Sequence, residues 1–457
     1  MKIMGNSGFG RTAVICTLLL TWTLASLRAE GQAAAGNNAV CKNSSGGCSD
    51  PTTQVMSSKA LIDAFGVSQG ADICATINGI LRSSTFVAGT VIDARGISST
   101  LTCAAGTSPW FDGSSYQNKA ATILLPAQTI TISSAWVLPG GTKIIGEGVG
   151  STVIKACGAH SCFADDWMIL FAQACPAIPC TGSTPATGIS VENLTLDGNE
   201  PNNGQTSLGG ILNAFSQEAS YVDHVDLFQI LGTGLLISGS AQNSGPYSNI
   251  TYDTNELTAS SATCVSIYNV GGGTRGVHGL TCRGDSSSYG QVAVYLDSSN
   301  NSIEDVSISD FNDGILVGSQ GPAQSNVLLN IVGNTVGLHL PPINVVHIVN
   351  SSNAVSDLSI VGVTNLGTGL VYTVNDERTS TTLSDKNVAM YALGKSTGDG
   401  YSRFTTSPNT ATWASGSGAP SNPCAAPGSL YSNTTSGAFS VCVYGTSTNA
   451  WSPVTLH

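Results

Sequence analysis

The stretch Val191-Glu192-Asn193-Leu194-Thr195-Leu196-Asp197, with the run Gly209-Gly210-Ile211-Leu212 that follows it, carries the pattern from which the fold reads. Both runs are too short for helices and alternate with a period of two, so each is a strand. The pair then recurs. Residues 221–227 lead to Gly234-Leu235-Leu236-Ile237, and 248–252 lead to Cys264-Val265-Ser266-Ile267. Residues 277–282 lead to Val292-Ala293-Val294-Tyr295, and 303–308 lead to Gly314-Ile315-Leu316-Val317. Residues 327–331 lead to Gly337-Leu338, and 355–360 lead to Gly369-Leu370-Val371-Tyr372. Anchored on Leu194, Val225, Ile250, Leu280, Val306, Leu329 and Leu358, the steps are 31, 25, 30, 26, 23 and 29 residues. Self-similarity at that period denotes a stacked repeat in which no unit buries its apolar face alone. A propeller blade needs about 40 residues and four strands, which these steps do not supply. The pattern predicts an all-β, single-stranded parallel β-helix, with Asn, Gly and Ser forming its corners.

Composition agrees with that reading. The 457 residues include 53 glycines and only 10% charged residues, while 41% are hydrophobic, enough for a long core. Lys2 and Arg11 precede an apolar stretch at 12–27, and small residues follow at 29–35, so residues 1–30 read as a secretory signal peptide cleaved near 29–35. No other segment approaches a membrane span. Beyond Cys16 twelve cysteines remain, an even number that suits an oxidising compartment and six disulfides. They fall as near neighbours: Cys41/Cys48, Cys74/Cys103, the group Cys157, Cys162, Cys175 and Cys180, then Cys264/Cys282 and Cys424/Cys442. Cys157, His160 and Cys162 have metal-like spacing, but secretion favours disulfides. The net charge is −12, and no Lys or Arg lies between Lys155 and Arg275, a stretch holding ten acids. Such a surface repels nucleic acid and suits a neutral glycan, or an acidic one bridged by a cation.

Along the chain, residues 31–70 form a Gly/Ala/Asn/Ser-rich flexible linker. Ile73, Ile77, Ile80 and Leu81 share one helical face, and Cys74 on that face could tether the helix to Cys103. This helix is expected to cap the open N-terminal end of the solenoid, which spans 71–375. A Ser/Thr/Gly-rich connector occupies 376–418, and 419–457 reads as a small disulfide-tied β module. Gly146-Glu-Gly-Val-Gly150 lacks the following helix of a dinucleotide site, and Gly271-Gly-Gly273 lacks the Lys-Ser/Thr of a phosphate loop, so both are turns.

The residues Ile123-Leu124-Leu125-Pro126, Ile130-Thr131-Ile132, Pro139-Gly140-Gly141 and Ile144-Ile145-Gly146-Glu147-Gly148 open the solenoid, with Ser151-Thr152-Val153-Ile154-Lys155 after them. Together they resemble the first coils of the pectate lyase superfamily, in particular those of its polygalacturonase-like and rhamnogalacturonase-like members. Asn193-Leu194-Thr195-Leu196-Asp197-Gly198-Asn199 is similar to a later coil. The resemblance covers roughly 71–375 and implies a right-handed parallel β-helix. It does not fix the reaction, because that superfamily includes lyases, hydrolases, epimerases and phage tailspikes. The polygalacturonase-like motifs are incomplete here: His278-Gly279 follows Val277 where Gly would be expected, and no Asp-Asp pair or Arg-x-Lys occurs in the repeats. For the calcium-dependent lyase branch, Asp223, Asp226 and Asp253 are candidate calcium ligands, and Arg275 or Arg283 the candidate base. Tyr221-Val222-Asp223-His224 is similar to that branch's Trp-x-Asp-His.

Aligned anchors turn the sequence into columns about 4.8 Å apart. The first column is Glu192, Asp223, Ser248, His278 and Glu304; the second is Thr195, Asp226, Thr251, Thr281 and Ser307; the third is Asp197, Phe228, Asp253, Arg283 and Ser309. They place Asp197, Asp226 and Asp253 on one outward face as candidate catalytic acids and bases, with Tyr252, His278 and Arg283 as candidate substrate-binding residues. Glycoside cleavage needs one carboxylic acid and one carboxylate. Neighbouring coils would hold them near 5 Å, suiting retention, whereas Asp197 and Asp253 would stand near 9.6 Å, at the outer edge of the inverting range. Asn193, His224, Asn249 and Asp305 form a further column, expected to be a structural turn ladder. The sequence thus supports a secreted polysaccharide hydrolase or lyase, or else a non-catalytic glycan-binding or adhesive scaffold. No cofactor is required except calcium in the lyase case, and the oligomeric state is open.

Overall fold

The computed structural model of the chain describes residues 61–63, 72–97, 101–158, 162–163, 165–171, 185–203, 207–255, 257, 262–284, 291–319, 323–333, 344–349, 355–365, 372–376, 389–394, 413–420, 424, 429–444 and 449–454. The expected signal peptide, Cys41/Cys48 and Cys175/Cys180 lie outside them.

The alternating runs pair in parallel, coil upon coil. Among the described residues a 15-stranded sheet and a 9-stranded sheet form, and from Ser190–Asp197 to Ala389–Gly394 they take alternate strands of the chain, so each of those coils contributes to both. A parallel strand–crossover–strand connection is right-handed in nearly all proteins, and the molecule is a right-handed parallel β-helix. In the larger sheet Leu194 pairs with Val225, Val225 with Ile250, Ile250 with Leu280 and Leu280 with Val306, the anchors read from the sequence. The core between the sheets is a continuous stack of buried Ile, Leu and Val.

The longer strands are bent, and their side chains show where. In Ser190–Asp197, Val191 and Leu194 are buried while Glu192 and Asn193 between them are not. Two successive outward residues interrupt the period of two and mark a corner. Asn193, His224, Asn249, Gly279 and Asp305 occupy it in five successive coils, each with a positive φ between 50° and 65°. Short polar side chains and glycine tolerate that left-handed conformation best. One coil earlier the two halves are separate strands: Lys143–Ile145 pairs with the part of Ser190–Asp197 before the corner, and Val153–Ala156 with the part after it.

The helix Ile73–Arg82 is capped by Asp72, whose carboxylate accepts from the Ala75 N–H. Its apolar face joins the core, and Cys74 is disulfide-bonded to Cys103. Cys157–Cys162, Cys264–Cys282 and Cys424–Cys442 are the other disulfides of the described residues. Three expected boundaries move. Leu61–Asp63, inside the expected linker, pairs as a strand with Thr90–Asp93. Ala389–Gly394, inside the expected connector, extends the larger sheet, because backbone pairing does not require the repeat's apolar pattern. The C-terminal sheet begins earlier than expected, with Trp413–Gly416, and continues through Leu430–Asn433, Phe439–Tyr444 and Asn449–Val454. No helix among the described residues is long and apolar enough to cross a membrane.

Candidate functional site

The three outward columns have the register read from the sequence. Glu192 pairs with Asp223, Asp223 with Ser248, Ser248 with His278 and His278 with Glu304. The second column runs Thr195, Asp226, Thr251, Thr281, Ser307, and the third Asp197, Phe228, Asp253, Arg283, Ser309. The corner, however, divides them. His278 and Asp223 lie before it, and Asp226, Asp253 and Arg283 after it, so the expected single face is two faces meeting at an edge.

After the corner, Asp226 and Asp253 differ in environment. Asp226 Oδ1 is buried and has no hydrogen-bond partner. Burial first, and the charge of Asp253 second, push its pKa from 3.8 up to about 6, although Arg283 pulls the other way. Asp253 Oδ1 accepts from the Asn255 N–H at 2.7 Å, and its Oδ2 lies 3.6 Å from the Arg283 guanidinium, which is largely exposed. Asp253 pairs with Phe228, two residues beyond Asp226. One strand spacing and two residues of rise place the two backbones about 8 Å apart, not the 5 Å expected for neighbouring coils. Phe228 is half-buried, and outward between Asp197 and Asp253 it offers an apolar surface for a sugar face. Its outward parity was visible in the sequence, where it stands in the third column between Asp197 and Asp253.

Two candidates are corrected by their surroundings. Asp197 is only 7% exposed. Its Oδ2 accepts from Lys155 Nζ at 2.6 Å and its Oδ1 from the Asn199 N–H at 2.8 Å, so the carboxylate is a structural anchor rather than an open acid. The register pairing Asp197 with Lys155 on the preceding strand brings this about. Tyr252 points inward, in register with Leu227 and Cys282. It is fully buried, donates its hydroxyl to Ile230 O at 2.6 Å and packs near Phe311, so it cannot touch a substrate.

Before the corner, Asp223 is fully engaged. Burial opposes its ionisation, but bonds from Ser248 Oγ (2.7 Å), Asn249 Nδ2 (2.9 Å) and His224 Nδ1 (2.9 Å) outweigh that and lower its pKa. His278 lies 3.8 Å from Glu304 and 3.3 Å from the Arg275 carbonyl. The residues do not fit the calcium set. Among the described residues the one trio of ligand atoms within 4.8 Å of one another is Asp72, Cys74 and Cys103, the last two sharing a disulfide. Asp223, Asp226 and Asp253 form no such trio, because the corner at His224 turns Asp223 away from the other two.

No protein-family model matches the chain, and no curated protein matches it. Among solved structures it is similar to two Azotobacter vinelandii mannuronan C-5 epimerase A-modules. For the AlgE6 A-module the identity is 14%, with 73% of this chain and 99% of that one covered at a TM-score of 0.29. For the AlgE4 A-module the identity is again 14%, with 61% and 91% covered at a TM-score of 0.23. The N-terminal fragment of bacteriophage phi29 gene product 12 matches at 14% identity over 68% and 71%, with a TM-score of 0.18. Likenesses this distant assign no activity.

Proposed function

We propose that the chain is an extracytoplasmic polysaccharide-cleaving enzyme of the hydrolase type, acting on a neutral or weakly acidic glycan through Asp226 and Asp253. The carrying observation is the buried, unpartnered Oδ1 of Asp226 with its raised pKa of about 6. A carboxyl kept protonated near neutral pH is what a glycosidic leaving oxygen requires. Asp253, steadied by Asn255 and facing Arg283, is the carboxylate that activates water. Carboxyl groups about 6.5–9.5 Å apart would leave room for that water and invert the anomeric centre, and about 5 Å apart would retain it. Phe228 supports the sugar ring, and Arg283 contacts the substrate. Four disulfides among the described residues, and the resemblance of the opening coils to the pectate lyase superfamily, are compatible with this reading.

The test is a polysaccharide panel assayed for reducing ends and for unsaturated-uronate absorbance, with and without chelator. Reducing ends without that absorbance, unaffected by chelator, are expected. Asp226→Asn should lower turnover at least about a hundredfold, and parent turnover should fall as pH rises through about 6, where Asp226 loses its proton. Chelator-sensitive absorbance would instead indicate a lyase. Saturable binding without released ends would indicate the scaffold reading.

A further inference from the structure

The two faces of the C-terminal sheet differ. Leu430 pairs with Val441, Phe439 with Val454 and Val443 with Ala450, and residues opposite one another in paired strands share a face. Side chains alternate along each strand. Leu430, Phe439, Val441, Val443, Ala450 and Val454 therefore share one face, and Tyr431, Cys442 and Trp451 the other. The second face is closed: Tyr431 and Cys442 are buried, the rings of Tyr431 and Trp451 lie 5.7 Å apart, and Cys442 is bonded to Cys424. The first face is open. Leu430 is 39% exposed, Val443 43% and Val454 37%, half of the six large exposed hydrophobics among the described residues. The segment also stands apart in charge. No Asp, Glu, Lys or Arg occurs from 404 to 457, so the whole net charge of −12 lies before it.

We infer that this open face is a self-association surface, on which a second copy of the chain packs the same six side chains. An apolar sheet face is stable when another layer covers it, and nothing among the described residues covers this one. A second copy fits what the face offers. The rest of each chain is acidic, so two copies repel one another except where the C-terminal segment carries no charge. No charged group has to be desolvated when the two faces meet. A nucleic acid or a charged protein surface would find no countercharge there. Among the described rings of the sheet, Tyr431 and Trp451 lie on the closed face and Phe439 is half-buried, so a sugar has no fully exposed ring to stack on. Two such faces stack about 10 Å apart as a sandwich, and like against like closes the assembly at a dimer. Three strands about six residues long span roughly 15 by 20 Å, so the contact is small and the dimer weak. The surface shares no residue with the Asp226 site and stands or falls independently of it.

The test is sedimentation equilibrium of the full chain from about 1 to 200 µM, the range in which a contact of this size associates. A monomer–dimer equilibrium is expected, unchanged or strengthened by added salt, because screening weakens only the repulsion between copies. Val443→Lys and Val454→Lys each set like charges across the contact and should weaken dimerisation at least about tenfold. Val87→Lys, at an exposed valine outside the sheet, should leave dimerisation unchanged. All three valines are exposed, so melting temperatures near the parent's would show that the variants are folded. The inference is overturned if the chain is monomeric throughout, if salt dissociates the dimer, if both sheet variants dimerise like the parent, or if Val87→Lys weakens the dimer as much as they do.

Discussion

The raised pKa of Asp226 has a consequence for stability as well as for catalysis. Its folded-state pKa of about 6 lies above the ordinary 3.8, so the folded chain holds this proton more tightly than the unfolded chain. The stabilisation from protonation is complete below about pH 4 and disappears as the pH rises through about 6. Asp226→Asn keeps the shape and removes the charge, so it should raise the melting temperature at pH 7–8 and leave it unchanged at pH 4. The gain is on the order of 1 kcal/mol after discounting for solvent screening. A thermal series across that range reads it, and a variant less stable at pH 8 would remove the case for a strained carboxyl. Tyr252 behaves oppositely. Tyr252→Phe loses the bond to Ile230 O and should cost about 1 kcal/mol of stability while leaving turnover unchanged.

At the scale of the strand, the corner decides which side chains can meet. Asn249 holds a φ of 54° there and donates from Nδ2 to Asp223. Asn249→Ala forces an ordinary residue into the left-handed region, at about 1–2 kcal/mol. Asn249→Gly should cost less, because glycine accepts that conformation. Denaturant midpoints of the two variants compare them, and equal losses would mean that the hydrogen bond, not the backbone, governs the corner. The Lys155–Asp197 pair locks the strand end just beyond the corner of the first long coil. Lys155→Met leaves a buried carboxylate without its cation and should lower stability by roughly 1–3 kcal/mol with no specific loss of turnover. Abolished turnover in a folded variant would return Asp197 to the catalytic set.

For the whole molecule, the two sheets are joined by core packing and by the fully buried Cys264–Cys282 disulfide, which runs from the smaller sheet to the larger. Replacing both cysteines with Ala should cost about 3 kcal/mol for a loop of this length, read as a lower melting temperature. A shift within error would mean that apolar stacking alone maintains the coil.

The coil, its parallel stacking and the register of three outward columns were legible in the chain, because a period-two pattern that must bury one face leaves a single alignment free of buried charge. The capping helix and three disulfide pairings were legible for similar reasons, the helix from its apolar face and the pairings from neighbouring cysteines, whereas Cys157–Cys162 stood in a group of four that the sequence left unpaired. The working state of each acid was not legible. Asp197, Asp223 and Asp226 read alike along the chain, yet Lys155, the corner at His224 and local burial give them three different environments. Those distinctions depend on desolvation and on partners dozens of residues away, which come together when the coils stack.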